Sequence, residues 1–312
     1  MSVEAFTIPP EAYAPNMDPA EAAFLTAVWN SMRIVYSGQQ DTGLVDQTSG
    51  LKPDGSFITP DDIRSEKVAQ AVFSRMLRGV PFRGEEGTVT DGESAWLRIG
   101  YDPLDGTRPR TVGAPTSVVI GSAYRPDGSV YGAMIGEPAT GRIFSAFGDQ
   151  RTTGRRLDLK TGETLVRRDN ITTWAGNLAD KGQVFLDNNQ PFRRGDHDTL
   201  TAQQHMQLRA ALQELGVGVL EMGTNGGHQL YVASGGDRAA AAITTARGIP
   251  EDTSAGAHLV KQSGGSVQRL IAWDGVLSPA HTETPYYDIL IAANNAGTLA
   301  RLVPILGGLS LQ

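Results

Sequence analysis

The chain contains no cysteine. Disulfide frameworks, thiolate metal sites and cysteine nucleophiles are therefore excluded. It also lacks any apolar run approaching the ~18 residues that a membrane-spanning helix needs. Residues 1–18 hold Pro9, Pro10 and Pro15 among the acids Glu4, Glu11 and Asp18, with no basic stretch leading into an apolar one, so no secretory leader is read there. A cytoplasmic location is the expectation, with no membrane partner. Positive charge is in short supply as well: 27 Lys and Arg stand against 34 Asp and Glu, for a net charge of -7. A nucleic acid polymer is an unsuitable partner, because its phosphates call for clustered Lys and Arg. A small anionic substrate remains open if cations supply the missing charge. The histidines, His197, His205, His228, His258 and His281, are scattered without metal-ligand spacing.

What is present is a mixture of helical and strand patterns. Asp18, Pro19 and Glu21 form a helix start ahead of Phe24, Leu25, Val28, Trp29, Met32 and Val35, which recur at helical spacing. A second helix is expected from Thr59-Pro60-Asp61-Asp62 through Ile63, Val68, Val72, Phe73, Met76 and Leu77. Short β-rich runs follow at Ser117–Tyr124, Val130–Gly136 and Ile143–Phe147, separated by turns containing Pro126-Asp127-Gly128 and Pro138-Ala139-Thr140-Gly141, which predicts an antiparallel meander. After Arg151 the sequence reads as a polar stretch. Helices are then expected near Thr201–Leu215, His228–Ser234 and Asp252–Gln262, and strands near Gly218–Met222, Ala239–Thr244, Val267 and Ile289. This predicts an α+β protein in two halves, 18–160 and 161–312.

The segment Asp102-Pro103-Leu104-Asp105-Gly106-Thr107 follows an apolar-containing run, Trp96 to Tyr101, that suggests a strand. Two carboxylates would then converge at a strand end. Gly106 lets backbone approach a ligand closely, and Thr107 with Pro109 resembles the start of a short helix whose free N–H groups could cradle a phosphate. Carboxylates beside a phosphate imply a hard divalent cation, and magnesium suits oxygen ligands. In isolation the hexapeptide is equally compatible with ordinary Asp-Pro and Asp-Gly turn chemistry.

The same segment matches the Asp-Pro-(Ile/Leu)-Asp-Gly-Thr signature of the inositol monophosphatase superfamily. Gly84-Glu85-Glu86 resembles that family's Gly-Glu-Glu. Lys52 to Asp62 resembles its Lys-x-Asp-x-Ser-Pro-Val-Thr-x-x-Asp, with Phe57 in place of proline. Gly223-Thr224-Asn225 and Ser234-Gly235-Gly236-Asp237 resemble the start and glycine-rich end of a family helix. The resemblance spans about residues 20 to 300 and implies a layered αβαβα sandwich, a magnesium-dependent phosphomonoesterase with two or three ions, and a homodimer. It implies one ion on Glu85, Asp102 and the Leu104 carbonyl and a second on Asp102, Asp105 and Asp252. Thr107 and Glu85 are the candidates to orient and deprotonate the attacking water, with Asp54 assisting or supporting a third ion. The acid Asp62 has either a site role or only a helix-start role. The substrate would meet Gly106, Thr107, Arg108, Thr224, Asn225 and Thr245.

The chain departs from the family in several places. Arg108-Pro109-Arg110 replaces the Thr-Asn-Phe, Lys-Gly-Phe or Arg-x-Phe that usually follows Asp-Gly-Thr, and both arginines could engage an anion or point to solvent. Thr245 stands where inositol phosphatases often have an acid. The family's Trp-Asp dipeptide occurs here as Trp273-Asp274, but the helix expected to start at the last aspartate and end on a Gly-Gly pair is Asp252 to Gly264-Gly265, with Glu251 in the tryptophan's place. The expected substrate is a small sugar, polyol or inositol phosphate. The alternatives are a bisphosphate nucleotidase, a histidinol-phosphatase-like enzyme, or a relative that binds metal without catalysis. Asp252→Asn is expected to abolish magnesium-dependent phosphate release and Asp274→Asn to leave it largely intact. The reverse outcome in a phosphate-release assay would move the ligand to Asp274.

Overall fold

The computed structural model describes residues 8, 13–42, 50–52, 57–94, 96–111, 114–187, 200–244, 250–273, 276–279 and 289–309. Asp54, Thr245 and Asp274 lie outside these, as do the side chains of Arg108, Glu251 and Asp252. In chain order the first elements are α1 (Pro19–Thr42), β1 (Gly50–Leu51), β2 (Phe57–Ile58), α2 (Pro60–Met76), β3 (Phe82–Gly84), β4 (Val89–Thr90), β5 (Arg98–Asp105), α3 (Thr107–Thr111), β6 (Val118–Tyr124), β7 (Val130–Glu137), β8 (Arg142–Phe147), β9 (Thr153–Leu157) and β10 (Thr164–Arg168). They are followed by β11 (Gln183–Leu186), α4 (Ala202–Glu214), β12 (Gly218–Leu220), α5 (Asn225–Ala233), β13 (Ala239–Thr244), α6 (Pro250–Gln262), β14 (Ser266–Trp273), β15 (Val276–Pro279), β16 (Ile289–Ala293) and α7 (Ala296–Gly307).

Among the described residues two large sheets and three helical layers alternate, and β1 and β2 form a separate two-stranded sheet. The first sheet has the order β10-β9-β8-β7-β6-β5-β3-β4, and the second β12-β11-β13-β16-β14-β15. Helices α1 and α2 cover one face of the first sheet, α5 and α6 lie between the sheets, and α4 and α7 cover the far face of the second. This is the αβαβα sandwich of the α+β class. Among the described residues, no helix is long and apolar enough to cross a membrane.

The strand patterns explain the layering. In β6, Val119 and Ala123 join the core under α1 and α2, while Val118 and Ile120 join the core between the sheets. In β11, Val184 and Leu186 face α4 and α7, and Phe185 faces inward. A strand buried on both faces has no polar alternation to reveal its period. That is why β11, in the stretch read as polar, was not foreseen. The same stretch holds β9 and β10, which extend the first sheet's meander. Their side chains include Arg155, Arg156, Arg167 and Arg168, so composition concealed them.

Local chemistry sets the helix starts. The Asp18 carboxylate accepts from Ala20 N at 2.7 Å and Glu21 N at 3.3 Å, as its place before Pro19 suggests. Thr59 and Asp62 form a capping box on α2, with Pro60 in its first turn. α5 starts at Asn225, where the resemblance of Gly223-Thr224-Asn225 to a family helix start puts it and ahead of the His228 start that spacing suggests, while α7 has no counterpart among the expected helices. In α7, Gly297 and Pro304 weaken the helical signal, yet the Asn295 cap and burial of Leu302 and Leu306 hold it.

α1 is locked to the first sheet by charge as well as by packing. Glu21 Oε1 accepts from Arg155 Nη2 at 2.8 Å and from Ser145 Oγ at 3.0 Å, and both ionised side chains are at least 95% buried. Removing one partner leaves the other charge without compensation in a dry interior. Arg155→Met should therefore lower unfolding free energy by about 3–5 kcal/mol. A urea-melt loss below about 1 kcal/mol, the value of an exposed pair, would show the contact to be dispensable.

Candidate functional site

The site forms at the carboxyl end of β5, which lies between β3, parallel to it, and β6, antiparallel to it. The strand continues to Asp105 instead of ending near Tyr101. Pro103 has no N–H for the ladder, and the register with β6 shifts between Asp102, opposite Ile120, and Asp105, opposite Val118. The Asp102 side chain turns back on the slipped segment, with Oδ1 accepting from Leu104 N at 2.8 Å. Gly106 then reverses the chain at φ 87°, and a Cβ there would sit 3.1 Å from Thr224 Cβ.

β3 delivers the glutamates. Gly84 pairs with Tyr101, and Glu85 N donates to Tyr101 O at 2.9 Å, so Glu85 lies across the ladder from the residue before Asp102. The turn that follows is held by Glu66 of α2, whose carboxylate accepts from Glu86 N at 2.7 Å and Thr88 N at 2.9 Å. That carboxylate occupies the space where a Cβ on Gly84 would be, so any other residue there would have to displace Glu66 from the turn. The Glu66 role was not anticipated. Its one signal is an acid on the buried face of an amphipathic helix.

Two helix starts converge on the motif. At α5, Asp105 Oδ2 accepts from Thr224 Oγ1 at 2.7 Å and from Gly226 N at 2.6 Å. Thr224 also caps α5 by accepting from Gly227 N, so its hydroxyl is engaged with the protein and not with an open face. Asn225 opens the same helix, its backbone also bonding Asp105. At α2, Asp62 has a dual part. It closes the capping box with Thr59, and its Oδ1 lies 3.1 Å from Thr107 Oγ1, which is also 2.9 Å from Leu104 O. The helix-start role and the site role are thus one arrangement.

Arg110 settles against a protein carboxylate. It is buried, and its Nη2 pairs with Asp61, which Arg64 also contacts. Asp61 and Asp62 thereby grip both ends of α3.

The electrostatics are those of an anionic cluster. Burial pushes Glu86 up to about 7, with the charge on Glu85 adding to it and Lys52 opposing. Burial pushes Asp105 up to about 6 against the hydrogen bonds from Thr224 and Gly226, and Glu85 again adds to the rise. Burial also raises Asp62, against its bonds from Thr59 and Thr107. Lys52 Nζ contacts Glu85 Oε1 and Glu86 Oε1, each at 2.9 Å. Burial disfavours its charge, but the two glutamates outweigh that and hold its pKa above the usual lysine range. Among the described residues no three acid or histidine side chains are gathered tightly enough to ligate an ion. The candidate ligand Asp252 contributes only its backbone to the description, near the start of α6.

The chain preceding α5 is held by His228. It is buried, stacks on Phe185, and its Nε2 accepts from Met222 N at 3.0 Å. A neutral ring serves this purpose.

No sequence-family profile matches the chain. A curated relative, an inositol-1-monophosphatase from Rhizobium meliloti, is 30% identical over 99 residues, 31% of this chain and 36% of that protein. The match thus spans about a third of the relative's length. Over 93% of its own length the chain superposes on 99% of the suhB extragenic suppressor protein of Bartonella henselae, with a TM-score of 0.74 and 19% identity. It superposes to the same extent on 97% of an IMPase from Thermotoga maritima, with a TM-score of 0.70 and 16% identity. The fold is that of the inositol monophosphatase and suhB structures.

Burial lowers His228 from 6.5 to about 4, and His258 likewise, with Lys261 and Arg125 adding to the effect there. The unfolded chain therefore binds more protons than the folded one between these values. Stability is complete above about pH 6.5 and is lost as pH falls towards 4, by up to ~1.4 kcal/mol per unit for each ring. Urea midpoints across this window should fall, and fall less steeply in His228→Gln. An unchanged slope would show that His228 is charged in the fold.

Proposed function

We propose that the chain is a phosphomonoesterase of the inositol monophosphatase superfamily that depends on magnesium. The observation that carries this reading is that the adjacent ends of β3 and β5 bring the backbones of Glu85, Asp102 and Asp105 beside the Thr107–Asp62 contact, in a fold shared with inositol monophosphatases. The donor set suits a hard cation: carboxylate and carbonyl oxygens only, with Asp105 raised by burial and by the charge on Glu85.

Glu85, Asp102, Asp105 and the Leu104 carbonyl would hold the ions, with Asp252 entering from α6. When bound, magnesium supplies charge neutralisation of a phosphate and a lowered pKa for a coordinated water. The protein's own residues do the rest. Thr107, whose proton is directed to Asp62 and the Leu104 carbonyl, keeps a lone pair for the attacking water, and Asp62 increases its basicity. The N–H groups of Gly106 and Thr107 orient the phosphate oxygens, so that attack proceeds in line without a phosphoenzyme. Arg110 belongs to the scaffold, so substrate preference falls to Arg108, Thr245 and their surroundings. The substrate class is a small sugar, polyol or inositol phosphate.

Asp102→Asn should abolish magnesium-dependent phosphate release from a panel of phosphomonoesters, a loss of at least about 10³-fold, while the far-ultraviolet dichroism stays native. Retained turnover in the folded variant would remove Asp102 from the site. The same panel, including nucleoside bisphosphates and histidinol phosphate, identifies the substrate. Absence of release from every member would overturn the phosphatase reading.

A further inference from the structure

Among the described residues, the β1–β2 pair reaches the site through Lys52. Gly50 and Leu51 pair with Ile58 and Phe57, and Lys52 follows directly after β1. Its ammonium bridges two neighbouring carboxylates, Glu85 and Glu86, at 2.9 Å each. This is not a surface pair: Lys52 is 16% exposed, Glu85 24% and Glu86 4%. Among the described residues neither buried oxygen of Glu86 accepts a well-formed hydrogen bond, so the ion-pair contact of Oε1 with the Lys52 ammonium is what offsets its charge there.

We propose that Lys52 is an internal stand-in for the site's divalent cation, bridging Glu85 and Glu86 when no ion is bound and giving up Glu85 when one binds. The inference rests on the reading of Glu85 as an ion ligand. Its physical basis is competition for one carboxylate. A lysine ammonium carries a single charge on a flexible four-carbon stem and meets oxygen at hydrogen-bond distance. A magnesium ion brings two charges to ~2.1 Å from the same oxygen. The ion wins Glu85, but must first break the Lys52 contact and then tolerate a positive charge nearby. Lys52 therefore stabilises the ion-free protein and weakens ion binding, and docking of the β1–β2 pair is coupled to the occupancy of the site. Glu86, which is more buried than Glu85, retains the ammonium and keeps it from being expelled to solvent.

This predicts opposite signs for two measurements on one variant. Metal-stripped wild type, Lys52→Met and Lys52→Arg are titrated with Mn2+ and Mg2+ by calorimetry, and their melting temperatures are recorded with and without ion. Lys52→Met should melt lower than wild type without ion and bind either ion at least about tenfold more tightly, because a competitor and a like charge are both gone. Lys52→Arg, which keeps the charge, should stay near wild type in both. A purely structural salt bridge gives a different pattern, with a lower melting temperature and unchanged or weaker ion binding. That result overturns the proposal while leaving Glu85 as a ligand. If wild type takes up neither ion, the reading of Glu85 falls and the proposal falls with it. If Lys52→Met does not fold, Lys52→Arg and Lys52→Gln carry the comparison, and equal affinity in Lys52→Gln and wild type is likewise fatal.

Discussion

The arrangement depends on a slipped register in one strand. A proline in the interior of β5 removes a ladder donor, and two aspartates three residues apart are re-aimed towards one end of the sheet. β5 lies between a parallel and an antiparallel neighbour; the parallel one, β3, brings Glu85 beside its end, and the chain itself runs on through Gly106 into α3. Each carboxylate placed there increases the desolvation and repulsion felt by the rest. The surrounding structure responds with donors: the Leu104 N–H for Asp102, the α5 start for Asp105, Thr59 and Thr107 for Asp62, and Lys52 for Glu85 and Glu86. Most of these come from elements remote in sequence from the residues they serve.

This explains why the helices between the sheets matter for chemistry and not only for packing. α5 is short and buried, and its start is built from Thr224, Asn225 and Gly226, which all bond to Asp105. His228 fixes the turn leading into it. The second sheet therefore reaches the first through a helix end, and the aspartate links the two halves of the chain. On the opposite side, the first turn of α2 does comparable work, with Asp62 on Thr107 and Asp61 on Arg110. The arginine in the position usually held by an aromatic is accommodated by an ion pair inside the protein. The outer helix α1 is fastened separately, through Glu21 and Arg155, well away from the cluster.

Some of this was legible beforehand. Proline and threonine at Thr59-Pro60, and aspartate before Pro19, marked two helix starts because caps are local chemistry. The meander from β6 to β8 was legible because its turns contain Pro, Asp and Gly at the right intervals. β9, β10 and β11 were not, since arginines concealed the first two and burial on both faces removed alternation from the third. Glu66 and the use of Thr224 were also out of reach, because each depends on a partner 20 or more residues away.

The sequence alone determined the residue types that can do the chemistry: acids, a threonine and glycines in an order matching a known family, with no cysteine to offer another route. Those are statements about short segments, where spacing and side-chain chemistry suffice. Only the tertiary structure decided what each group faces. It turned Arg110 inward to Asp61, made Asp62 both a cap and the partner of Thr107, and set Lys52 across two glutamates. The physical reason is that desolvation and charge pairing depend on distances between segments, and those distances exist only once the sheets and helices have packed.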